Sequence, residues 1–141
     1  MKLSQIKELI NFCKTELDFT TEEFKECFSD FEAETEDFEV SNYRFIHSDS
    51  IDQIQRDELR NDLWVLGCFN SNFLAECSNL PQELIEAGQK GEQYEAVGKA
   101  MLPFIDEIQE EYARLDGYGH HFSSYDGETL EILNYFVFRT N

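Results

Sequence analysis

Apolar residues recur through the N-terminal part of the chain at the spacing of helices that bury one face. Ile6, Leu9, Ile10, Cys13 and Leu17 alternate with Lys7, Glu8, Lys14 and Glu16, which predicts an amphipathic helix over residues 4–17. Thr20-x-x-Glu23 then forms a capping box, with Phe19 and Phe24 at the positions of a hydrophobic staple, so a second helix is predicted from Thr21 to about Phe31. In that helix Phe24, Cys27, Phe28 and Phe31 make one aromatic stripe and leave the opposite side to carboxylates.

After a charged run from Glu32 to Asp37, the segment 38–46 carries the β-branched and aromatic content of a strand. Ser50-x-x-Gln53 opens another helix with Ile51, Ile54, Leu59, Leu63 and Leu66 on its buried side, and Gly67 is placed to stop it. A short helix or turn follows between Cys68 and Cys77. Pro81 stands at the first position of a helix running to Gly88, and Gly91 to Met101 continues helically. Leu102-Pro103 separates these from a helix through Phe104, Ile105, Ile108, Tyr112 and Leu115, with Asp116-Gly117 as its stop. The tail is rich in Gly and aromatics up to Gly127, and Leu133 to Thr140 alternates like a strand. The expected fold is α+β: a mostly helical single domain over 1–141, with a small antiparallel sheet formed by residues near 38–46 and the C-terminal 118–140 segment.

Composition agrees with a folded chain. Of 141 residues, 41% are hydrophobic and 14% aromatic, which is enough to bury a core and excludes disorder as the general state. Charge changes the picture more. Thirty acidic against 11 basic residues give a formal charge of −19, a field that repels nucleic acid and anionic membranes and attracts basic proteins. No segment approaches the ~20 apolar residues of a membrane span, and the N-terminus lacks an apolar signal core. The expected location is therefore the cytoplasm. Cys13, Cys27, Cys68 and Cys77 show no C-x-x-C spacing and read as reduced core thiols.

The acid is densest between Glu16 and Glu39. Glu16, Asp18, Glu22, Glu23, Glu26, Asp30, Glu32, Glu34, Glu36, Asp37 and Glu39 stand there against the single base Lys25. Glu22, Glu26 and Asp30 fall four residues apart, a ridge of like charges that costs a helix about 0.2–0.5 kcal/mol per neighbouring pair. A charge run is ordinarily a solvated face. The alternative is a surface shaped for a basic partner, with Glu107, Glu110 and Glu111 assisting.

Four other constellations contain candidate chemistry. His120 and His121, with Ser123, Ser124, Tyr125 and Asp126 nearby, contain the residue types of a small hydrolase, although adjacent residues of an extended segment point to opposite faces. Cys68, Cys77, His120 and His121 match no zinc spacing. Gly91 to Ala100 has six residues between its glycines and no hydroxyl after Lys99, so it is not a phosphate loop; Phe122 likewise occupies the third-glycine place of a dinucleotide fingerprint begun at Gly117. No cofactor is expected.

Asp116-Gly117-Tyr118-Gly119-His120-His121-Phe122, with Tyr125-Asp126-Gly127, Phe138-Arg139-Thr140-Asn141 and Val65-Leu66-Gly67-Cys68-Phe69-Asn70, resembles a family of small uncharacterised proteins carried by phages and mobile elements. That resemblance implies no catalytic residues. In composition, though in no motif, the chain also resembles the acidic nucleic-acid mimics among antirestriction and anti-CRISPR proteins. Together these lead to an expected non-enzymatic inhibitor that binds a basic nucleic-acid-binding host defence protein through the eleven acids of 16–39. The alternatives are an interaction module using the aromatic Tyr118–Tyr125 segment and a small hydrolase or metal enzyme around His120 and His121.

Overall fold

A computed structural model describes all residues from Met1 to Asn141. The fold is α+β and mostly helical. Helices α1 (Leu3–Thr15) and α2 (Thr21–Glu32) precede strands β1 (Asp37–Val40) and β2 (Tyr43–His47). Six helices follow: α3 (Ile51–Arg60), α4 (Leu63–Gly67), α5 (Ser71–Ser78), α6 (Gln82–Lys90), α7 (Tyr94–Met101) and α8 (Ile105–Phe122), with a 3₁₀ turn at Leu102–Phe104 before α8. Strands β3 (Leu130–Ile132) and β4 (Tyr135–Arg139) end the chain. No helix is long and apolar enough to cross a membrane. Contacts along the chain group it into two compact units, Met1–Ile51 with Gly117–Asn141 and Asp52–Asp116.

In the first unit the strands make one antiparallel sheet in the order β1-β2-β4-β3. It joins the two segments that the sequence pointed to, and each contributes a hairpin. The run 38–46 breaks at Ser41, which adopts φ 56, whereas the strand expected over Leu133 to Thr140 is β4, and β3, which the alternation did not mark, precedes it across a turn at Leu133, φ 53. A left-handed residue turns the chain without a glycine at either place, which is why hydrophobic alternation alone did not reveal the turns.

Register sets the two faces. Phe38, Phe45, Val137 and Leu130 stand in line across the sheet. They pack with Leu9, Phe12, Cys13 and Leu17 of the α1 segment and with Cys27 and Phe31 of α2. Phe31 meets Phe45, Phe38 and Tyr135 edge-on at ring-centroid distances of 5.6, 5.7 and 4.6 Å. The opposite face is covered by the end of α8. Tyr118 lies on Phe136 (5.2 Å) and Phe122 on Phe138 (5.1 Å). Gly117 interrupts α8 where the stop was expected. With φ 75 and ψ 166 it is not helical, and a second helical stretch, which the sequence did not mark, follows through Phe122. Only glycine adopts that φ without strain.

In the second unit Leu59, Leu66, Leu74, Ile85, Met101 and Ile108 form the core. The helix expected from Ile51 to Leu66 is broken, because Asp62 accepts the Val65 N–H and starts α4 afresh. α4 does end at Gly67, which is also a close backbone contact. A Cβ there would stand 1.8 Å from the Tyr94 carbonyl oxygen, and one on Gly98 would stand 1.9 Å from that of Leu63. The helix placed at 81–88 runs from Gln82 to Lys90, with Pro81 as its cap and Gly88 inside it.

Candidate partner-binding surface

The acidic stretch is built on α2, and its start is held by paired hydrogen bonds. Thr20 N–H donates to Glu23 Oε1 at 2.9 Å and Glu23 N–H donates to Thr20 Oγ1 at 3.1 Å. Accepting the Thr20 N–H, and then a Ser41 hydroxyl bond, holds the Glu23 carboxyl below the usual glutamate range. With Cys27 and Phe31 buried and Phe24 and Phe28 half-buried, Glu22 and Glu26 are turned to solvent and Asp30 flanks them. At 1.5 Å rise per residue, successive members of this ridge are about 6 Å apart along the axis.

Beyond α2 the chain continues as an acidic loop. Glu34 takes a left-handed φ of 54, and Glu32, Glu34 and Glu36 are all exposed. The loop is anchored from beneath, because Thr35 N–H donates to the Asp30 carbonyl at 3.1 Å and Tyr135 donates its hydroxyl to the Thr35 carbonyl at 2.7 Å. Glu16 and Asp18 are exposed on the connection before α2, where Asp18 has φ 53.

The eleven acids do not all share this surface. Asp37 and Glu39 alternate with the buried Phe38 and Val40 of β1 and therefore project from the sheet face opposite α1 and α2. There Arg44 forks onto Asp37, Nε to Oδ1 at 2.9 Å and Nη2 to Oδ2 at 2.7 Å, while its guanidinium lies 5.1 Å from the Phe122 ring centroid. Asp37 is thus neutralised within its own unit. The other ion pair in the stretch, Lys25 with Glu22 at 3.8 Å, is exposed at both ends, and such pairs are worth about 0–1 kcal/mol. The coherent set is Glu22, Glu26, Asp30, Glu32, Glu34 and Glu36. Sequence spacing exposed the ridge but could not show on which face of the sheet β1 would point its carboxylates.

Glu107, Glu110 and Glu111 belong to the second unit. With Glu76, Phe73 and Leu115 they line a groove of about 420 Å³. Arg114 donates to Glu111 and holds that carboxyl below its usual range.

The tail residues occupy other roles than the extended ones considered above. His120 and His121 are helical, on the end of α8 that covers the sheet. The Ser123 hydroxyl lies 2.8 Å from Asp126 Oδ1 and 2.9 Å from the Arg139 carbonyl, and Ser124 donates to the Thr140 carbonyl at 2.8 Å. These bonds tie the turn after α8 to the C-terminus. Tyr118 is half-buried on Phe136, whereas Tyr125 is 59% exposed beneath the Arg139 guanidinium at 3.8 Å. Of the expected aromatic contact surface, Tyr125 faces outward and Tyr118 largely does not. No group of three or more His, Cys, Asp or Glu side chains is arranged to hold a metal ion. Cys13, Cys27 and Cys77 are buried free thiols, but Cys68 is exposed rather than part of a core.

No protein-family model matches the chain, and neither a curated protein nor a solved structure matches it.

Proposed function

We propose that the protein is a non-enzymatic inhibitor that occupies the basic groove of a nucleic-acid-binding protein, a host defence factor of the restriction or CRISPR type. The observation that carries this reading is the ridge Glu22-Glu26-Asp30 with its continuation through Glu32, Glu34 and Glu36. Only Lys25 compensates it, and at 3.8 Å on an exposed surface. A ridge of like charges costs its helix stability, and the aromatic stripe beneath does not require it. Carboxylates about 6 Å apart along a rigid axis present charge at a spacing comparable to that of successive phosphates, which advance ~3.4 Å per nucleotide along the duplex and lie further apart in space. A groove lined by Lys and Arg for phosphates meets the same sign at a similar interval. The net charge of −19 adds long-range attraction, raising encounter rates by about 10–10³ at low salt.

The test is capture from host lysate by immobilised protein. Nucleic-acid-binding proteins should be retained, displaced by added duplex DNA or by RNA, and released as salt shortens the Debye length. The combined Glu22→Gln, Glu26→Gln, Asp30→Asn variant should lose capture. Retention of the same proteins by that variant, or captured proteins indifferent to both nucleic acid and salt, would refute the proposal.

A further inference from the structure

The charge-based reading makes no use of a second feature of the first unit, a pair of thiols shared between its two N-terminal helices. Cys13 on α1 and Cys27 on α2 are 1% and 0% exposed, and their sulfurs lie 3.6 Å apart in hydrogen-bonding contact. They belong to the same apolar core as Leu9, Phe12, Leu17 and Phe31, and each sulfur is a hydrogen-bond partner of the other. Burial does not seal both sulfurs equally. Cys13 also lines an open cleft of about 370 Å³ together with Ile10, Lys14, Phe19, Thr20 and Phe24. A small polar molecule that enters this cleft reaches Cys13 first, with Cys27 directly behind it.

We propose that Cys13 and Cys27 form a peroxide-sensitive site, in which Cys13 is the reacting thiol, Cys27 the resolving one, and the product a disulfide that staples α1 to α2. Access to the cleft sets that order. Either sulfur can donate to the other, so the bond between them favours one thiolate in the pair and pushes the second ionisation far up. The oxidant is a hydroperoxide. The Cys13 thiolate sulfur attacks its terminal oxygen, the O–O bond breaks, and the departing oxygen leaves as alcohol or water after taking a proton; Cys13 becomes a sulfenic acid, oxidised by two electrons. Cys27 sulfur then attacks Cys13 sulfur, the S–O bond breaks, and water departs with the Cys27 proton. With hydrogen peroxide the sum is two thiols and one peroxide giving one disulfide and two waters. The sulfurs need approach by only about 1.5 Å to reach the bonded distance of about 2.05 Å.

The other two cysteines serve as internal controls. Cys68 is exposed but has no thiol beside it. Cys77 is buried, and its thiol is pushed up by burial and then by Glu111, Glu107 and Glu76.

The experiment treats the full chain with hydrogen peroxide, removes the excess, alkylates under denaturing conditions, and weighs the intact protein. Untreated protein should take up four alkyl groups, one for each cysteine. Peroxide-treated protein should take up two and remain monomeric on a non-reducing gel. Trypsin should then release the peptides 8–14 and 26–44 joined, and a reductant should separate them. In the Cys27→Ser variant Cys13 should stop at the sulfenic acid and add dimedone. Four alkyl groups after treatment, a link through Cys68, or joining only between chains would overturn the proposal, as would dimedone addition at Cys68 alone in Cys27→Ser. These readouts are independent of any basic partner.

Discussion

The hydroxyl of Tyr135 on β4 donates to the backbone carbonyl of Thr35 at 2.7 Å, a bond spanning 100 residues of sequence. It holds the loop that carries Glu34 and Glu36 against the edge of the phenylalanine core, so the acidic loop has a fixed backbone under it. Burial, followed by the charges of Glu34 and Asp30, pushes the Tyr135 phenol up to about 12.

The pH consequence follows from that direction. A phenol that keeps its proton longer when folded stabilises the fold fully below the ordinary value of 10, and the contribution is lost as pH rises from there toward 12. Urea unfolding of the wild type should weaken across that window. Tyr135→Phe should lose about 1 kcal/mol at neutral pH and show a shallower alkaline decline. The decline should not vanish, because Tyr112 is pushed up to about 12 by burial and by Asp116.

The Thr20–Glu23 capping box titrates in the opposite sense. Thr20→Ala should cost about 1 kcal/mol, as N-cap truncations do. Glu23 has its folded pKa depressed below the ordinary 4.5, so its contribution is present above that value and disappears as pH falls through the folded pKa. The stability gap between wild type and Glu23→Gln, measured by urea unfolding followed by circular dichroism, should therefore close on acidification.

The α4–α7 crossing depends on two missing side chains. Gly67→Ala and Gly98→Ala would each drive a Cβ to within 2 Å of a carbonyl oxygen, and backbone yields poorly. Each substitution should cost at least about 3 kcal/mol, at the severe end for single changes. Gly91 is the control: at φ −82 with its nearest atoms at 3.4 Å or beyond, Gly91→Ala should stay within about 0.5 kcal/mol of wild type in thermal or chemical unfolding.

Arg44 serves the sheet through its shape as well as its charge. Lysine at that position supplies the charge but neither the two-pronged fit to Asp37 nor the planar surface over Phe122. Arg44→Lys should lose about 1–2 kcal/mol, and the loss should persist at high salt because the Arg44 side chain is only 18% exposed. A loss that salt abolishes would mean that charge alone mattered.

The sequence by itself determined the local parts of this protein. The capping box at Thr20, the stripe Phe24-Cys27-Phe28-Phe31 and the strand content near 38–46 and 133–140 each arise from neighbours within a few residues, where periodicity and side-chain-to-backbone bonds act directly. Tertiary structure decided what those parts face. Left-handed Ser41 turned one run into a hairpin, left-handed Leu133 folded β3 back onto β4, and the restart after Gly117 laid Tyr118 and Phe122 on the sheet. Pairing of β1 with β2 sent Asp37 and Glu39 away from the α2 ridge, and packing of α1 on α2 brought Cys13 to Cys27. None of these has a local signature, because each is fixed by contacts between distant segments whose energies depend on the faces already assembled.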